Sequence, residues 1–129
     1  MRNPKFRVWD KLDQRMICPD VGYQGHYALS LDGHFHNLQN GSGGKEYIIQ
    51  QFTGLKDKNG KKICEGDIIQ LEGSPISYSI EWDKYQWAIN AHGALGYDPD
   101  WNIQPFNHCV YERAIVVGNI FENPELLRT

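Results

Sequence analysis

Two histidines separated by one residue come closest to a metal-binding pattern in this sequence. His34 and His36 would place both imidazoles on one side of a β-strand, because side chains alternate along a strand. His26 would face them across a hairpin if Asp32-Gly33 forms the turn. A metal site needs a third and usually a fourth ligand, and the sequence singles out none of the remaining candidates. These are Cys18, Asp20, His92, His108 and Cys109. We therefore favour exposed or structural histidines, and we expect neither a metal nor a cofactor.

A second pattern is the lysine-rich segment "KDKNGKK", residues 56–62. Basic side chains in such a run can contact phosphates. The segment separates two β-like runs, and Asn59-Gly60 is a dipeptide that tight hairpin turns favour because their central residues need positive φ. A phosphate loop of the form G-x-x-x-x-G-K-[ST] is excluded, since neither its spacing nor its Ser or Thr is present. A solvated hairpin turn is the favoured interpretation.

The other chemistry-bearing patterns do not indicate catalysis. Residues 98–102, "DPDWN", have the spacing that opens a calcium loop, but Ile103 and Cys109 stand where an EF-hand needs Gly and Glu. His108 is adjacent to Cys109, so on a strand the two side chains would face opposite sides. We therefore expect that the protein is not an enzyme.

Large aromatic side chains are the best candidates for a binding surface. Four of them could stack on bases or anchor a protein partner. They are Trp82, Tyr85, Trp87 and Trp101. Against this, the alternating positions of Tyr78 and Trp82, and of Tyr85 and Trp87, are typical of residues that face a core. Burial in the core is the favoured interpretation for these alternating residues.

The elements that must position these residues are short β-like runs. "KFRVWDKLDQRMI" predicts two strands around a polar turn, and "HYALSLDGHFHNL" predicts a hairpin that turns at Asp32-Gly33. "EYIIQQFTGL" and "KICEGDIIQL" predict two strands that are joined by a turn at Asn59-Gly60. Gly66 interrupts the second of these strands, which indicates a bulge or a sharp bend.

Strand patterns continue in the second half of the chain. In "ISYSIEWDKYQWAINA" the apolar positions are even up to Trp82 and odd from Tyr85, which predicts a two-residue turn at Asp83-Lys84. "CVYERAIVVGNIF" is a last β-like run. "NPELL" predicts a helical turn with Asn123 as its N-cap and Pro124 as its first residue. No segment of a dozen residues shows the helical period, so the pattern favours an all-β fold.

Composition bounds the class of protein. The chain has 129 residues, of which 40% are hydrophobic and 22% charged, which suits one globular domain with its own core. Its three cysteines are far apart, so neither a disulfide framework nor a zinc knuckle is indicated. No stretch approaches the roughly 20 apolar residues of a membrane span, and the start lacks the apolar core of a signal peptide. We expect a cytoplasmic protein without membrane contact.

Charge is distributed unevenly along the chain, although the net charge is only −3. Residues 1–62 carry ten Lys and Arg against six acids, whereas residues 63–129 carry three against ten, which gives about +4 and −7. Such an asymmetry fits a basic surface for an anionic partner, or complementary surfaces that meet within one chain or between copies. The charges by themselves favour neither interpretation over the other.

Three segments, in this order, resemble the YopX family of phage and prophage proteins. They are "KFRVWDKLDQRM", "QFTGLKDKNGKKICEGDII" and "VVGNIFENPELL", and together they span nearly the whole chain. The resemblance implies a mainly β protein with an SH3-like barrel in its C-terminal part. It also implies a protein of bacteriophages, or of prophages in Gram-positive bacteria, without an established biochemical activity. Residues 18–46 contain no motif of the family, so their hairpin is interpreted from the residues alone.

These observations together predict a fold. We expect a single all-β domain over residues 1–129, with a subdivision into an N-terminal β-hairpin subdomain, 1–45, and a small SH3-like barrel, 46–129. A short helical turn ends the chain. The residues expected to serve the fold rather than a site are Gly54, Asn59, Gly60, Gly66 and Asp67.

The same observations predict a function that works by binding. We expect an accessory protein that acts non-catalytically through contacts with phage or host proteins in the bacterial cytoplasm, and that self-associates into a homo-oligomer. The first alternative is a nucleic-acid-binding barrel. The candidate contacts, for either kind of partner, are Lys5, Arg7, Lys11, Arg15, Lys56, Lys58, Lys61, Lys62 and Trp101. A metal-dependent enzyme around His34 and His36 is the least favoured alternative.

Overall fold

A computed structural model describes residues 6–18, 27–29, 35–37, 47–83, 86–94 and 102–127. The chain divides into two compact units, Met1–Gln51 and Phe52–Thr129. The strand β5, Tyr47–Lys56, runs across this boundary, and each unit is described by itself.

The first unit is built from antiparallel strand pairs. Its strands are β1 (Phe6–Asp10), β2 (Arg15–Ile17), β3 (Tyr27–Leu29), β4 (Phe35–Asn37) and the first half of β5. Strand β1 lies between β2 and β5, with Val8 opposite Ile17 on one side and Ile49 on the other. Val8 and Ile17 are buried and pack against Tyr47 and Ile49, which forms the small core of this unit. Both hairpins predicted for this region are confirmed.

The β1–β2 turn is closed by the side chain of Asp10. Its Oδ1 atom accepts hydrogen bonds from the backbone N–H groups of Leu12, at 3.0 Å, and Asp13, at 3.2 Å. An aspartate that binds the backbone two and three residues ahead stabilises a turn without help from tertiary contacts. In the β3–β4 hairpin, Leu29 pairs with Phe35. The predicted turn at Asp32-Gly33 lies outside the described residues.

The second unit contains a five-stranded antiparallel sheet that curls into a half-barrel. Its strand order is β10-β9-β8-β7-β11, and the second half of β5 pairs with β6 beside it. The strands are β6 (Lys62–Cys64), β7 (Asp67–Leu71), β8 (Ser77–Asp83), β9 (Gln86–Asn90), β10 (Ile103–Pro105) and β11 (Ala114–Asn119). A one-turn helix, α1 (His108–Tyr111), precedes β11, and a 3₁₀ helix, Pro124–Leu127, follows it. The predicted mainly β fold and the helical turn near the end of the chain are confirmed.

The main hydrophobic cluster among the described residues of the second unit lies on one side of the half-barrel. Alternate residues of neighbouring strands, such as Ile69, Tyr78 and Ile80, are buried there because side chains of one parity share a side of a sheet. Each fully buried isoleucine contributes about 1.5–3 kcal/mol to folding. The whole cluster is Ile63, Ile69, Leu71, Tyr78, Ile80, Ile89, Ala91, Phe106 and Ala114.

Two local predictions for the second unit were wrong. The turn was predicted at Asp83-Lys84, but Asp83 pairs with Gln86 and is still part of β8. The last β-like run was expected to start at Cys109, but β11 starts at Ala114. The preceding residues wind into α1, where the carbonyl of Asn107 accepts hydrogen bonds from the N–H groups of Val110 and Tyr111.

No helix in the described part of the chain is both long enough and apolar enough to cross a membrane.

Candidate functional site

The lysine-rich turn predicted from the sequence is organised around the carboxylate of Asp57. Its Oδ1 atom accepts hydrogen bonds from the N–H groups of Asn59 and Lys61, both at 2.8 Å. Its Oδ2 atom accepts one from the N–H of Val116, in β11, at 3.0 Å. Asp57 is only 7% exposed, so the carboxylate points into the protein and the turn is built around it. The acid that the sequence presents inside a basic run is thus a structural group.

The pKa of Asp57 reflects these hydrogen bonds. Burial raises the pKa of this carboxyl, because desolvation disfavours its charged form. The three backbone N–H groups, together with the positive charge of Lys61, outweigh burial and hold the pKa below its ordinary value. Asp57 is therefore ionised at neutral pH.

The turn also covers the free side of β11. Besides the bond from Val116 to Asp57, the N–H of Lys58 donates to the carbonyl of Ala114 at 2.9 Å. An edge strand with unpaired N–H and C=O groups is a template for adding another strand, and these bonds occupy part of that edge. Gly60, with φ +85, lets the chain reverse at the tip, as the Asn59-Gly60 step predicted.

The lysines of the turn differ in their surroundings. The Lys58 ammonium lies 2.8 Å from Oε1 of Glu72, and this ion pair lowers the pKa of that exposed glutamate. The Lys62 ammonium lies 5.7 Å from the centre of the Phe52 ring, within cation–π distance. Lys56 and Lys61 are exposed, and neither side chain makes an ion pair or hydrogen bond with a residue that the structure describes.

The Glu65-Gly66-Asp67 step is a second structural junction. Gly66 has φ +84, and it separates β6 from β7 as the sequence predicted. Its N–H donates to the carbonyl of Ile80 at 2.8 Å, and its carbonyl accepts from the N–H of Ile120 at 2.9 Å. Asp67 is 1% exposed, and its Oδ2 accepts a hydrogen bond from the N–H of Cys64 at 2.8 Å. These contacts tie three parts of the half-barrel together at one bend.

The basic candidates near the start of the chain lie in the first unit. The Nε–H of Arg7 donates to Oε1 of Gln50 at 2.8 Å. The Nε atom of Arg15 lies 4.0 Å from Oδ2 of Asp10 and 3.9 Å from Oδ2 of Asp13. Lys11 is exposed in the β1–β2 turn. The candidates Lys5 and Trp101 lie outside the described residues.

The exposure of Trp82 corrects the favoured interpretation of the alternating aromatic residues. Trp82 was expected to face the core with Ile80, yet it is 53% exposed, because β8 extends beyond the core at this end. Its ring packs edge-on against Trp87, the residue opposite it on β9, with centroids 5.0 Å apart and an interplanar angle of 80°. Glu81 and Asp83 flank Trp82 on the strand. Tyr85 lies outside the described residues.

A serine and a histidine meet on the other side of β8. The Oγ atom of Ser79 lies 2.6 Å from Nε2 of His92, a distance at which an imidazole can act as a base toward a hydroxyl. Ser79 is 4% exposed, however, and His92 has φ +52, so the bond fastens the turn after β9 onto β8. The N–H of His92 also donates to Oδ1 of Asn90 at 2.8 Å. A correct pairing of β8 with β9, predicted from the sequence, would have indicated that Ser79 and His92 lie near each other.

The predicted histidine cluster is not tested by the described residues. His26 and His34 lie outside them, and His36 is described only as part of β4. Among the residues that are described, no group of three or more His, Cys, Asp and Glu side chains could hold a metal ion. A metal site around His34 and His36 stays a prediction of the sequence.

The half-barrel and the hydrogen bonds of the lysine-rich turn to β11 together define a class of protein. It is the class of small, mainly β proteins with an antiparallel half-barrel whose edge strand is held by a polar hairpin turn. The family described as "YopX protein" matches residues 5–128, and the chain therefore belongs to the YopX family.

Two solved structures show the same fold over nearly the whole chain. Protein EF1440 from Enterococcus faecalis is 25% identical, with a TM-score of 0.60 over 99% of this chain and 100% of that one. Protein yopX from Bacillus subtilis is 17% identical, with a TM-score of 0.59 over 98% of each chain. The sequence matches none of the curated proteins.

Proposed function

We propose that the protein acts without catalysis, by binding other protein chains, including further copies of itself. The observation that carries this proposal is Trp82, whose ring is more than half exposed at the end of the β8–β9 hairpin. Tryptophan is enriched among the residues that dominate binding energy at protein interfaces, because it offers a large apolar area with few rotatable bonds. Its edge-on packing against Trp87 fixes the ring before a partner arrives, which lowers the entropic cost of binding.

The hydrogen bonds within the lysine-rich turn support the same proposal. Asp57, Lys58 and Gly60 are used for the backbone geometry of the turn and for its attachment to β11. The apolar part of a contact surface has to come from other residues, and among the described residues the large exposed apolar side chains are Leu12, Trp82 and Val117. On the family resemblance, we extend the proposal to an accessory protein of a phage or prophage that works in the cytoplasm of a bacterial host.

Sedimentation velocity over a range of protein concentrations tests this proposal. We expect the wild type to form a larger species as its concentration rises, and Trp82→Ala to raise the dissociation constant of that species about tenfold or more. Val117→Ala is the matched control, because Val117 is also an exposed apolar residue of the second unit. A wild-type chain that stays monomeric at every concentration, or a Trp82→Ala variant that associates like the wild type, would contradict the proposal.

Nucleic-acid binding is the second candidate, and one observation favours it. Lys56 and Lys61 project from a turn that Asp57 holds in place, and each ammonium is exposed. Fluorescence anisotropy of labelled DNA and RNA, at low and at physiological salt, tests this candidate. Binding that weakens steeply with salt, and that Lys56→Gln with Lys61→Gln reduces, would support it, because each phosphate contact releases counterions. An absence of binding at low salt would contradict it.

A further inference from the structure

The second unit carries two surface features of opposite charge at two of its turns. One is the lysine turn, residues 56–62, with four lysines and the single acid Asp57, whose carboxylate points inward. The other we call the tryptophan tip, which consists of Glu81, Trp82, Asp83 and Trp87. The tip thus presents two acids, Glu81 and Asp83, whereas the turn presents lysines, of which Lys58 is already paired with Glu72.

Charged groups at both features are available for contact. The Lys56 and Lys61 side chains have no ion pair or hydrogen bond within the part of the chain that the structure describes. The Asp83 carboxylate has no such partner there either, and the Glu81 carboxylate meets only the amide of Asn90, at 3.3 Å and 3.4 Å. Because side chains alternate along a strand, Glu81 and Asp83 lie on one side of β8 and the exposed ring of Trp82 lies on the other.

The two features of one chain are too far apart to contact each other. The lysine turn is bound to β11 at Val116, which pairs with Ile69, and Ile69 pairs with Tyr78. Asp83 is five residues further along β8 than Tyr78, which is roughly 16 Å along the strand direction. In the perpendicular direction, across the sheet, strands β7 and β11 lie between β8 and the lysine turn. Any pairing of these features must therefore involve two molecules.

We infer that copies of this chain associate head to tail, with the lysine turn of one copy on the tryptophan tip of the next. This inference rests on the proposed self-association and names its two surfaces. Lys56 and Lys61 approach Glu81 and Asp83 on one side of the end of β8. The hydrogen bonds of Asp57 hold the lysine turn in one conformation, so little ordering entropy is lost on contact. Because the two surfaces differ, the contact leaves each copy with one surface unused until a ring closes or a filament grows.

Complementary charge reversal tests the inference. One double variant carries Lys56→Glu and Lys61→Glu, and the other carries Glu81→Lys and Asp83→Lys. Each variant alone places like charges at the contact, so we expect its dissociation constant to rise at least about tenfold in sedimentation velocity. An equimolar mixture restores association, because the acidic turn of the first variant meets the basic tip of the second. Their unchanged surfaces also remain complementary to each other.

The outcomes separate this inference from the proposed function. If both double variants associate as strongly as the wild type, the head-to-tail contact is overturned, but self-association itself is not. Failure of the mixture to restore association would overturn it as well. A wild type that is always monomeric would overturn both proposals. Thermal melting of each variant checks that it folds. If Glu81→Lys unfolds the protein by removing the Glu81–Asn90 contact, Asp83→Lys alone replaces the second double variant.

Discussion

The carboxylate of Asp57 accepts a hydrogen bond from the backbone N–H of Val116, 59 residues further along the chain, at 3.0 Å. The same carboxylate closes the lysine turn through the N–H groups of Asn59 and Lys61. One side chain thus fixes a local turn and attaches it to the last strand of the half-barrel.

Replacing Asp57 with alanine removes all three hydrogen bonds and leaves the N–H groups of Asn59, Lys61 and Val116 without their acceptor. We expect Asp57→Ala to lower the free energy of unfolding by about 2–4 kcal/mol, since hydrogen bonds to a charged group contribute more than neutral ones. Urea denaturation measures this change. Asp13→Ala is the control, because the Asp13 side chain is largely exposed and should change stability by less than about 0.5 kcal/mol. Equal stability of the two variants would show that the Asp57 carboxylate is dispensable.

The lowered pKa of Asp57 makes the stability of the protein depend on pH in the acidic range. In the folded state this pKa lies below its ordinary value of 3.8, so unfolding raises the proton affinity of the carboxyl. The resulting stabilisation is fully present well above pH 3.8, and it is lost as the pH falls through the folded-state pKa. Urea denaturation of the wild type and of Asp57→Asn between pH 2 and pH 7 measures this dependence. We expect the variant to lose less stability on acidification; parallel pH profiles would refute the assignment.

Gly60 and Gly66 both have positive φ, which valine adopts only under strain. A Cβ at Gly60 would meet no atom within 4 Å, so any loss there comes from the backbone conformation alone. We expect Gly60→Val to cost about 1–3 kcal/mol and to lower the melting temperature by several degrees. Gly60→Asn should cost less, because asparagine tolerates this region. Gly66 is buried, so Gly66→Val should be more damaging still. Melting temperatures like that of the wild type would mean that the turn is not primarily structural.

Gly118 and Asn123 form a close contact near the end of the chain. A Cβ at Gly118 would lie 2.5 Å from Oδ1 of Asn123, and that oxygen accepts a hydrogen bond from the N–H of Asn119 at 3.2 Å. We expect Gly118→Ala to cost about 1–3 kcal/mol, because the asparagine must move and lose its bond. In a double-mutant cycle with Asn123→Gly, the double variant should lose less stability than the sum of the two single losses. The reason is that Asn123→Gly removes the side chain that a Cβ at position 118 would strike. Strict additivity in urea denaturation would contradict this account.

Alternation and turn residues were sufficient to predict most strands. The parity switch between Trp82 and Tyr85 predicted the β8–β9 hairpin, and Asn59-Gly60 predicted the turn between β5 and β6. Alternation failed at residues 109–111, because hydrogen bonds to the carbonyl of Asn107 wind this apolar segment into a helix. The alternation of apolar residues cannot show which carbonyl will accept the hydrogen bonds of these N–H groups.

Parity also failed to separate buried from exposed positions along one strand. Ile80 and Trp82 share a side of β8, yet only Ile80 lies over the core, because the strand extends past the layer that covers it. The contact between Asp57 and Val116 was equally inaccessible to sequence analysis, since it depends on the position of β11 beside the turn. What the sequence predicted well was local geometry, and what it missed depends on how distant segments meet.

The attachment of the lysine turn to β11 has a consequence for how the protein is made. Synthesis proceeds from the N-terminus, so β7 and Asp57 emerge long before their common partner at Val116. Until then, β7 lacks one neighbour and the turn lacks its anchor, which leaves an open strand edge on the nascent chain. Contacts between residues far apart in sequence also form slowly. The half-barrel therefore completes only after nearly the whole chain has left the ribosome, and this delay is when a newly made copy is most open to aggregation.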